Sequence, residues 1–242
     1  MKLLKVSLCA AVAVASMAFA NAASAEVTFN AGAATDYMFR GVRNSYDSHQ
    51  GNAPEVFGGV DWSGGPMLYA GAWISNTGQS NDNGIEIDYY GGWKPAVGPI
   101  SLDLGVIYYT YNDSDNGSVL NDFNTLEWKL AGSIAAGPAT IGGAVFYTDD
   151  AASSGNAATY YELNIAFPIK DKVTFSAAIG EQTYDTSGPY DSYTTWNAGV
   201  TLPITDKVSF DARYIGTDND ATVLFGNLAA GDSFVATIKG TF

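Results

Sequence analysis

The chain has 242 residues, 11 Lys and Arg against 25 Asp and Glu, one cysteine, and a formal charge of −14 at neutral pH. That balance argues against nucleic acid or any polyanion held by a basic patch, and a single cysteine excludes a disulfide framework. The first predicted element is an export signal. Lys2 and Lys5 form a short basic start, the apolar run LCAAVAVASMAFA follows, and Ala23-Ser24-Ala25 gives a small-x-small cleavage pattern before Glu26. The run is too short for a spanning helix. Cys9 lies inside it behind Leu8, unlike the cysteine of a lipoprotein signal. Residues 1–25 are therefore read as a signal peptide and residues 26–242 as one domain. Of the 242 residues, 217 remain without the first 25, and loss of Lys2 and Lys5 leaves nine basic residues facing 25 acidic ones. No later stretch approaches the ~18 consecutive apolar residues of a membrane helix. Only a closed barrel could take this chain across a bilayer.

From residue 27 onward nearly every segment alternates. VTFNAGAATDYMFRGV opens the series. In GIEIDYYGGWK, Ile85, Ile87, Tyr89 and Trp93 oppose Glu86, Asp88, Tyr90 and Lys94. In ISLDLGVIYYTY, Leu102, Leu104, Val106 and Tyr108 oppose Ser101, Asp103, Gly105 and Tyr109. In NTLEWKLAGSI, Leu126, Trp128, Leu130 and Ile134 oppose Thr125, Glu127, Lys129 and Ser133; Tyr161, Leu163, Ile165 and Phe167 oppose Glu162, Asn164 and Ala166. Period two with β-branched and aromatic enrichment is the strand signal. It predicts about twelve strands of membrane-spanning length, starting near residues 27, 54, 66, 84, 100, 122, 139, 157, 172, 190, 207 and 231. Ten would remain if the segment 139–168 were a loop.

The connections alternate too. SGGP, KPAVGP and AAGPA are tight, and FPIKDKVTF and LPITDKVSF are near copies 35 residues apart that read as one repeated hairpin. Between them lie the longer polar stretches GVRNSYDSHQGN, NTGQSNDN, NDSDNGSVLN, DDAASSGN, DTSGPYDS and TDNDATVLFGNLAAG. Short periplasmic turns and longer extracellular loops are the habit of an outer-membrane barrel. A secreted β-sandwich shares the strands but has no reason for that alternation. The aromatics support the barrel. Tyr37, Phe39, Trp73, Tyr108, Tyr111, Phe146, Tyr147 and Tyr214 fall late on outward strands. Tyr160, Tyr161, Tyr193, Trp196 and Phe234 fall early on returning ones, and Trp62, Trp93, Phe167, Phe175 and Phe242 sit near the inner ends. Two aromatic girdles are expected of a barrel in lipid.

The opening strand resembles a proteobacterial family known as the TorF family of porins, also called the Gcw_chp domain. Its mark is D-Y-x-F-R-G soon after the signal, here Asp36-Tyr37-Met38-Phe39-Arg40-Gly41. VFGGVDWSGGPMLYAGAWISN, IEIDYYGGW and LDLGVIYYTYN continue the resemblance over most of the chain, most strongly in its first half. The family's glutamine-containing stretch after Arg-Gly is rearranged here to GVRNSYDSHQGNAP. The resemblance implies an outer-membrane β-barrel acting as a channel, and carries no substrate with it.

With the apolar face turned to lipid, the other face lines a lumen bearing Asp36, Glu55, Asp61, Glu86, Asp88, Asp103, Glu127, Glu162 and Asp211. Its cations are Arg40, Lys94, Lys129, Arg213 and Lys239. Asp36 with Arg40, Glu127 with Lys129, and Asp211 with Arg213 are the expected ion pairs, because charge in a narrow, low-dielectric bore must be paired or hydrated. The surplus acids predict a porin-like path for small ions or uncharged solutes, weakly favouring cations. The alternative is a non-conducting barrel that acts through its acidic extracellular loops. Gly32, Ala34, Gly59, Gly71, Gly92 and Gly105 either keep the bore open or permit close packing. His49, the sole histidine, has no readable catalytic partner, so no enzyme is expected. Asp113-Ser114-Asp115-Asn116-Gly117 and Asp218-Asn219-Asp220 are oxygen-rich but lack the closing glutamate of a calcium loop, and no cofactor motif occurs. Expected partners are outer-membrane lipid, lipopolysaccharide and small solutes. The closing segment DSFVATIKGTF, with Phe234, Ile238 and Phe242 on one face, is expected to address the barrel-insertion machinery.

Overall fold

The structure, a computed structural model, describes residues 25–44, 54–77, 84–112, 124–170, 173–186 and 192–242. Twelve antiparallel strands form the wall. They are β1 (Glu26–Ala34), β2 (Glu55–Gly64), β3 (Leu68–Thr77), β4 (Gly84–Trp93), β5 (Ile100–Asn112), β6 (Thr125–Ala136), β7 (Ala139–Thr148), β8 (Ala158–Lys170), β9 (Val173–Tyr184), β10 (Ser192–Pro203), β11 (Val208–Thr217) and β12 (Ser233–Thr241). The two-residue strand Ala96–Val97 extends the β4–β5 turn by pairing with Ser101 and Ile100. Each wall strand pairs with its sequence neighbours, and β1 also takes β12, from Asn30 opposite Thr241 to Ala34 opposite Thr237. Phe29 and Phe242 complete that seam by exchanging N–H to O=C bonds of 3.0 and 2.8 Å. The sheet has no free edge, as strands in hydrocarbon require.

Side chains alternate across this wall in the manner the sequence predicts. Val56, Leu130, Leu163, Ile179 and Phe234 are exposed on the outer face, while Glu86, Glu127, Glu162, Asp211 and Arg213 are buried within. Burial is thus inverted relative to a soluble protein, and the exposed apolar band makes sense only against lipid. The segment 139–168 supplies two full strands, so the ten-strand alternative is set aside.

Two features differ from expectation. The opening strand ends at Ala34, and Asp36 to Arg40 leave the wall. The alternating pattern runs on because residues 38–43 form a second, miniature β-ladder with the same period. The aromatics also divide. Tyr108, Trp128, Tyr147, Tyr161 and Tyr214 face outward near the long-loop end, as Trp62 and Trp93 do near the short-turn end. Tyr37, Phe146, Tyr160 and Tyr193, assigned above to a girdle, are buried in the lumen, where Trp73 packs on Tyr37 and Phe39 on Tyr109. Adjacent aromatics such as Phe146-Tyr147 and Tyr160-Tyr161 necessarily point to opposite faces.

Leu163 lies near the middle of β8 and is 66% exposed. Leu163→Arg should destabilise the inserted barrel by about 2–4 kcal/mol, the cost of a cation at the bilayer midplane. Denaturant unfolding in lipid vesicles measures this; an unchanged midpoint would place this face away from lipid.

Candidate functional site

The lumen is organised around the segment that leaves the wall after β1. Met38 pairs with Arg43 and Phe39 with Val42, joined by a two-residue turn at Arg40 and Gly41, whose φ values are 48° and 81°. Positive φ at both central residues is the requirement of a type I′ hairpin turn. Gly41 meets it freely, and a Cβ there would come within 2.5 Å of Thr217 Cγ2 on β11 and still closer to Thr195 on β10. Arg40 meets it at a steric cost of roughly 1–2 kcal/mol, so tertiary contacts must hold it.

They do so on one side of the barrel. The Arg40 guanidinium donates to both carboxylate oxygens of Glu127 on β6, each at 2.8 Å, and to Gln182 Oε1 on β9 at 3.0 Å. It also lies over the rings of Phe39, Phe146 and Tyr160 at 4.7, 5.1 and 4.5 Å from their centroids. Tyr109 donates to Glu127 at 3.1 Å. Desolvation works against the Arg40 charge, but the field of Glu127 outweighs it and raises the pKa above the ordinary arginine value. A bidentate carboxylate and aromatic faces are what guanidinium geometry suits.

The other side of the hairpin is tied to β4 and to the last long loop. Tyr37 and Asn44 donate to opposite oxygens of Glu86, at 2.9 and 2.6 Å. Arg43 donates to Asp36 at 2.7 Å, to the Leu228 carbonyl at 2.6 Å and to Ser233 at 2.6 Å. Its backbone N–H reaches the Ala229 carbonyl, and Val42 bridges Ala230. That loop carries a short helix, α1 (Asn219–Phe225), whose N-cap Asp218 accepts from the Ala221 N–H at 3.2 Å. Ala221, Ala230 and Tyr193 pack with Val42 into a small apolar cap. Asp218 therefore serves chain conformation, as Asp does at a helix start.

Most of the remaining lumen charges are braced as well. Lys129 donates to Asp103 at 2.7 Å, as Tyr69 does, and Lys94 lies 4.0 Å above the Tyr69 ring. Arg213 bridges Asp211, Asn197 and Ser176. Asp61 accepts from Tyr90 and Asn30, Glu162 from Tyr160 and Asn164, and Glu55 weakly from Ser75 at 3.4 Å. Asp88 is buried, with Oδ1 lacking a hydrogen-bond partner in the described structure. Tyr90 crosses the wall over Gly71 and Tyr69 over Gly105, so these glycines admit aromatic rings and do not widen the bore.

The expected pairs are therefore corrected in two of three cases. Asp211 does pair with Arg213, but Arg40 pairs with Glu127, leaving Asp36 to Arg43, and Lys129 pairs with Asp103. Same-face neighbours on one strand and diagonal neighbours across the ladder both sit about 7 Å apart, so spacing along one strand does not by itself choose the partner. Lys129 lies directly opposite Gly105, one same-face step from Asp103. Lys239 is half-buried on the lumen-facing set of β12, opposite Gly32 and Ser209, while Phe234, Ile238 and Phe242 are exposed outside. Arg43, Gln182, Tyr109, Phe146 and Tyr160 belong to the site but escape the sequence reading, because the hairpin that collects them is not visible as a turn-in. His49 and Asp113 to Gly117 lie outside the described residues. Among the described residues no group of three acidic, histidine or cysteine side chains is placed to hold a metal ion.

A closed barrel with an apolar exterior and a charged, hydrogen-bonded lumen is an outer-membrane β-barrel protein. The chain belongs to the family described as "Bacterial protein of unknown function (Gcw_chp)", whose model matches residues 18–242. No curated protein sequence matches it. Among solved structures, the KdgM porin is similar with a TM-score of 0.60 at 6% identity, over 89% of this chain and 99% of its own. The NanC porin gives 0.58 at 12% identity, over 90% and 99%. An outer-membrane channel from Pseudomonas putida F1 gives 0.51 at 9%, over 92% and 96%. At these identities the likeness is one of fold.

Glu127→Ala should destabilise the barrel by about 3–5 kcal/mol, since Arg40 is left buried without its counter-charge. Adding Arg40→Ala should recover part of that loss. Unfolding midpoints of the single and double variants measure the coupling; additive losses would separate the two side chains.

Proposed function

We propose that the protein is an outer-membrane channel for passive diffusion of small ions or uncharged solutes, weakly favouring cations. The observation that carries this reading is the surplus of lumen acids. Asp36, Asp103, Glu127 and Asp211 are matched by cations, whereas Glu55, Asp61, Glu86, Asp88 and Glu162 show no ion pair among the described residues. Glu55, Glu86 and Asp88 cluster on the β2–β4 wall toward the long-loop end, where an entering solute first meets the field. The KdgM and NanC porins and the Pseudomonas putida outer-membrane channel share the fold and add support. Passage depends on the hairpin of residues 38–43, which occupies the lumen at that end. In planar bilayers the protein should conduct with a cation-selective reversal potential, and Glu86→Gln with Asp88→Asn should move that potential toward zero. Absence of conductance would contradict the channel reading. It would instead select a barrel that acts through its loops, a reading favoured by the many contacts that seat the hairpin.

The β12 strand is proposed as the address for the insertion machinery, with lipid and lipopolysaccharide around the finished barrel. Phe242 is 62% exposed outside, and its backbone makes both terminal bonds of the seam to Phe29. Deletion of Phe242 should reduce the heat-modifiable, folded form in outer-membrane fractions several-fold. A truncated chain that inserts at the normal level would contradict this role.

A further inference from the structure

Apart from Phe39 of its own hairpin, the Arg40 side chain rests in a receptor built by other elements. Glu127 comes from β6, Phe146 from β7, Tyr160 from β8 and Gln182 from β9, four consecutive strands of one wall. Each of these side chains is at most 5% exposed. Glu127 is also oriented independently of the hairpin, by Tyr109 from β5. The receptor combines the parts a planar cation requires: a carboxylate open to two parallel N–H donors, a carbonyl oxygen beside it, and two ring faces. Arg40 arrives on a separate loop segment, at a turn with a left-handed non-glycine φ of 48°. The occupant is therefore conformationally strained, while the receptor belongs to the rigid wall.

We propose that the wall site of Glu127, Gln182, Phe146 and Tyr160 is a binding site for small guanidinium-bearing solutes, filled in the resting barrel by the chain's own Arg40. A solute of that class competes with Arg40, and its binding favours the hairpin leaving its seat. Ammonium compounds fit less well, because a point cation cannot use both carboxylate oxygens and the two ring faces together. The proposal deepens the channel reading by naming a solute class, and rests on that reading only for the fate of the bound solute.

The test uses the full mature barrel in detergent micelles, with heat-modifiable migration confirming that each variant is folded. Methylguanidinium chloride and methylammonium chloride are titrated by calorimetry into the wild type, Arg40→Ala and Arg40→Ala/Glu127→Gln. Arg40→Ala should bind methylguanidinium about tenfold more tightly than wild type does, and about tenfold more tightly than it binds methylammonium. The added Glu127→Gln should abolish the gain. Equal affinity of wild type and Arg40→Ala, or no discrimination between the two cations, would overturn the proposal. Should Arg40→Ala not fold, Gly41→Val serves instead. It leaves the receptor untouched while its side chain collides with Thr195 and Thr217, and the same gain is expected. Because the readout is calorimetric, a barrel that binds methylguanidinium without conducting would refute only the channel, and one that conducts without binding would refute only the site.

Discussion

Inside a bilayer no water is available to backbone N–H and C=O groups, and each one left unpaired costs several kcal/mol. A chain of strands can satisfy that demand only by closing on itself, and here the last strand returns to the first through the Asn30–Thr241 to Ala34–Thr237 register. The seam to Phe242 completes it. Once the wall is closed, the period of two leaves no choice about where side chains go. The apolar set meets lipid, and the polar set, acids included, is enclosed.

That enclosure creates the second problem the structure solves. Charged side chains in a narrow bore need counter-charges and hydrogen bonds. The wall supplies some, as in Lys129 with Asp103 and Arg213 with Asp211. Glu127 and Glu86 are instead met by the hairpin of residues 38–43 and its flanks, through Arg40 on one side and Tyr37 and Asn44 on the other. The hairpin supplies the counter-charge of Glu127 and also fills part of the lumen. Its hold is reinforced by the final long loop through Arg43, Val42 and α1. The pairing of Glu127 and the filling of the lumen at that end thus follow from one inward turn.

Much of this was legible in the amino-acid order. Alternation in GIEIDYYGGWK or NTLEWKLAGSI reports the wall because lipid on one side and polar lumen on the other impose opposite chemistry on adjacent residues. The strand count and the lumen assignment of Glu55, Glu86, Asp103, Glu127, Glu162 and Asp211 rest on that. The inward hairpin was not legible, because Met38-Phe39-Arg40-Gly41-Val42-Arg43 alternates like a wall strand. Only Arg-Gly, an unusual pair for a type I′ turn, hints at reversal. Ion-pair partners were unreadable for a related reason. Cross-strand diagonals depend on register, as with Asp103 and Lys129, and loop-to-wall contacts such as Arg40 with Glu127 depend on where the hairpin lands. Doubled aromatics misled because only one of each pair can face lipid.

If the lumen is a solute path, as proposed, the seated hairpin controls passage through it. Val42 and Ala230 form an antiparallel bridge between the hairpin and the last loop, a pairing whose Cα separation suits a disulfide. The chain's only cysteine, Cys9, lies in the segment read as the signal. A Val42→Cys/Ala230→Cys barrel in a planar bilayer therefore reports the claim directly. Oxidation should hold the hairpin seated and lower the conductance, and reduction should restore wild-type conductance. Equal conductance of the oxidised and reduced forms would contradict it.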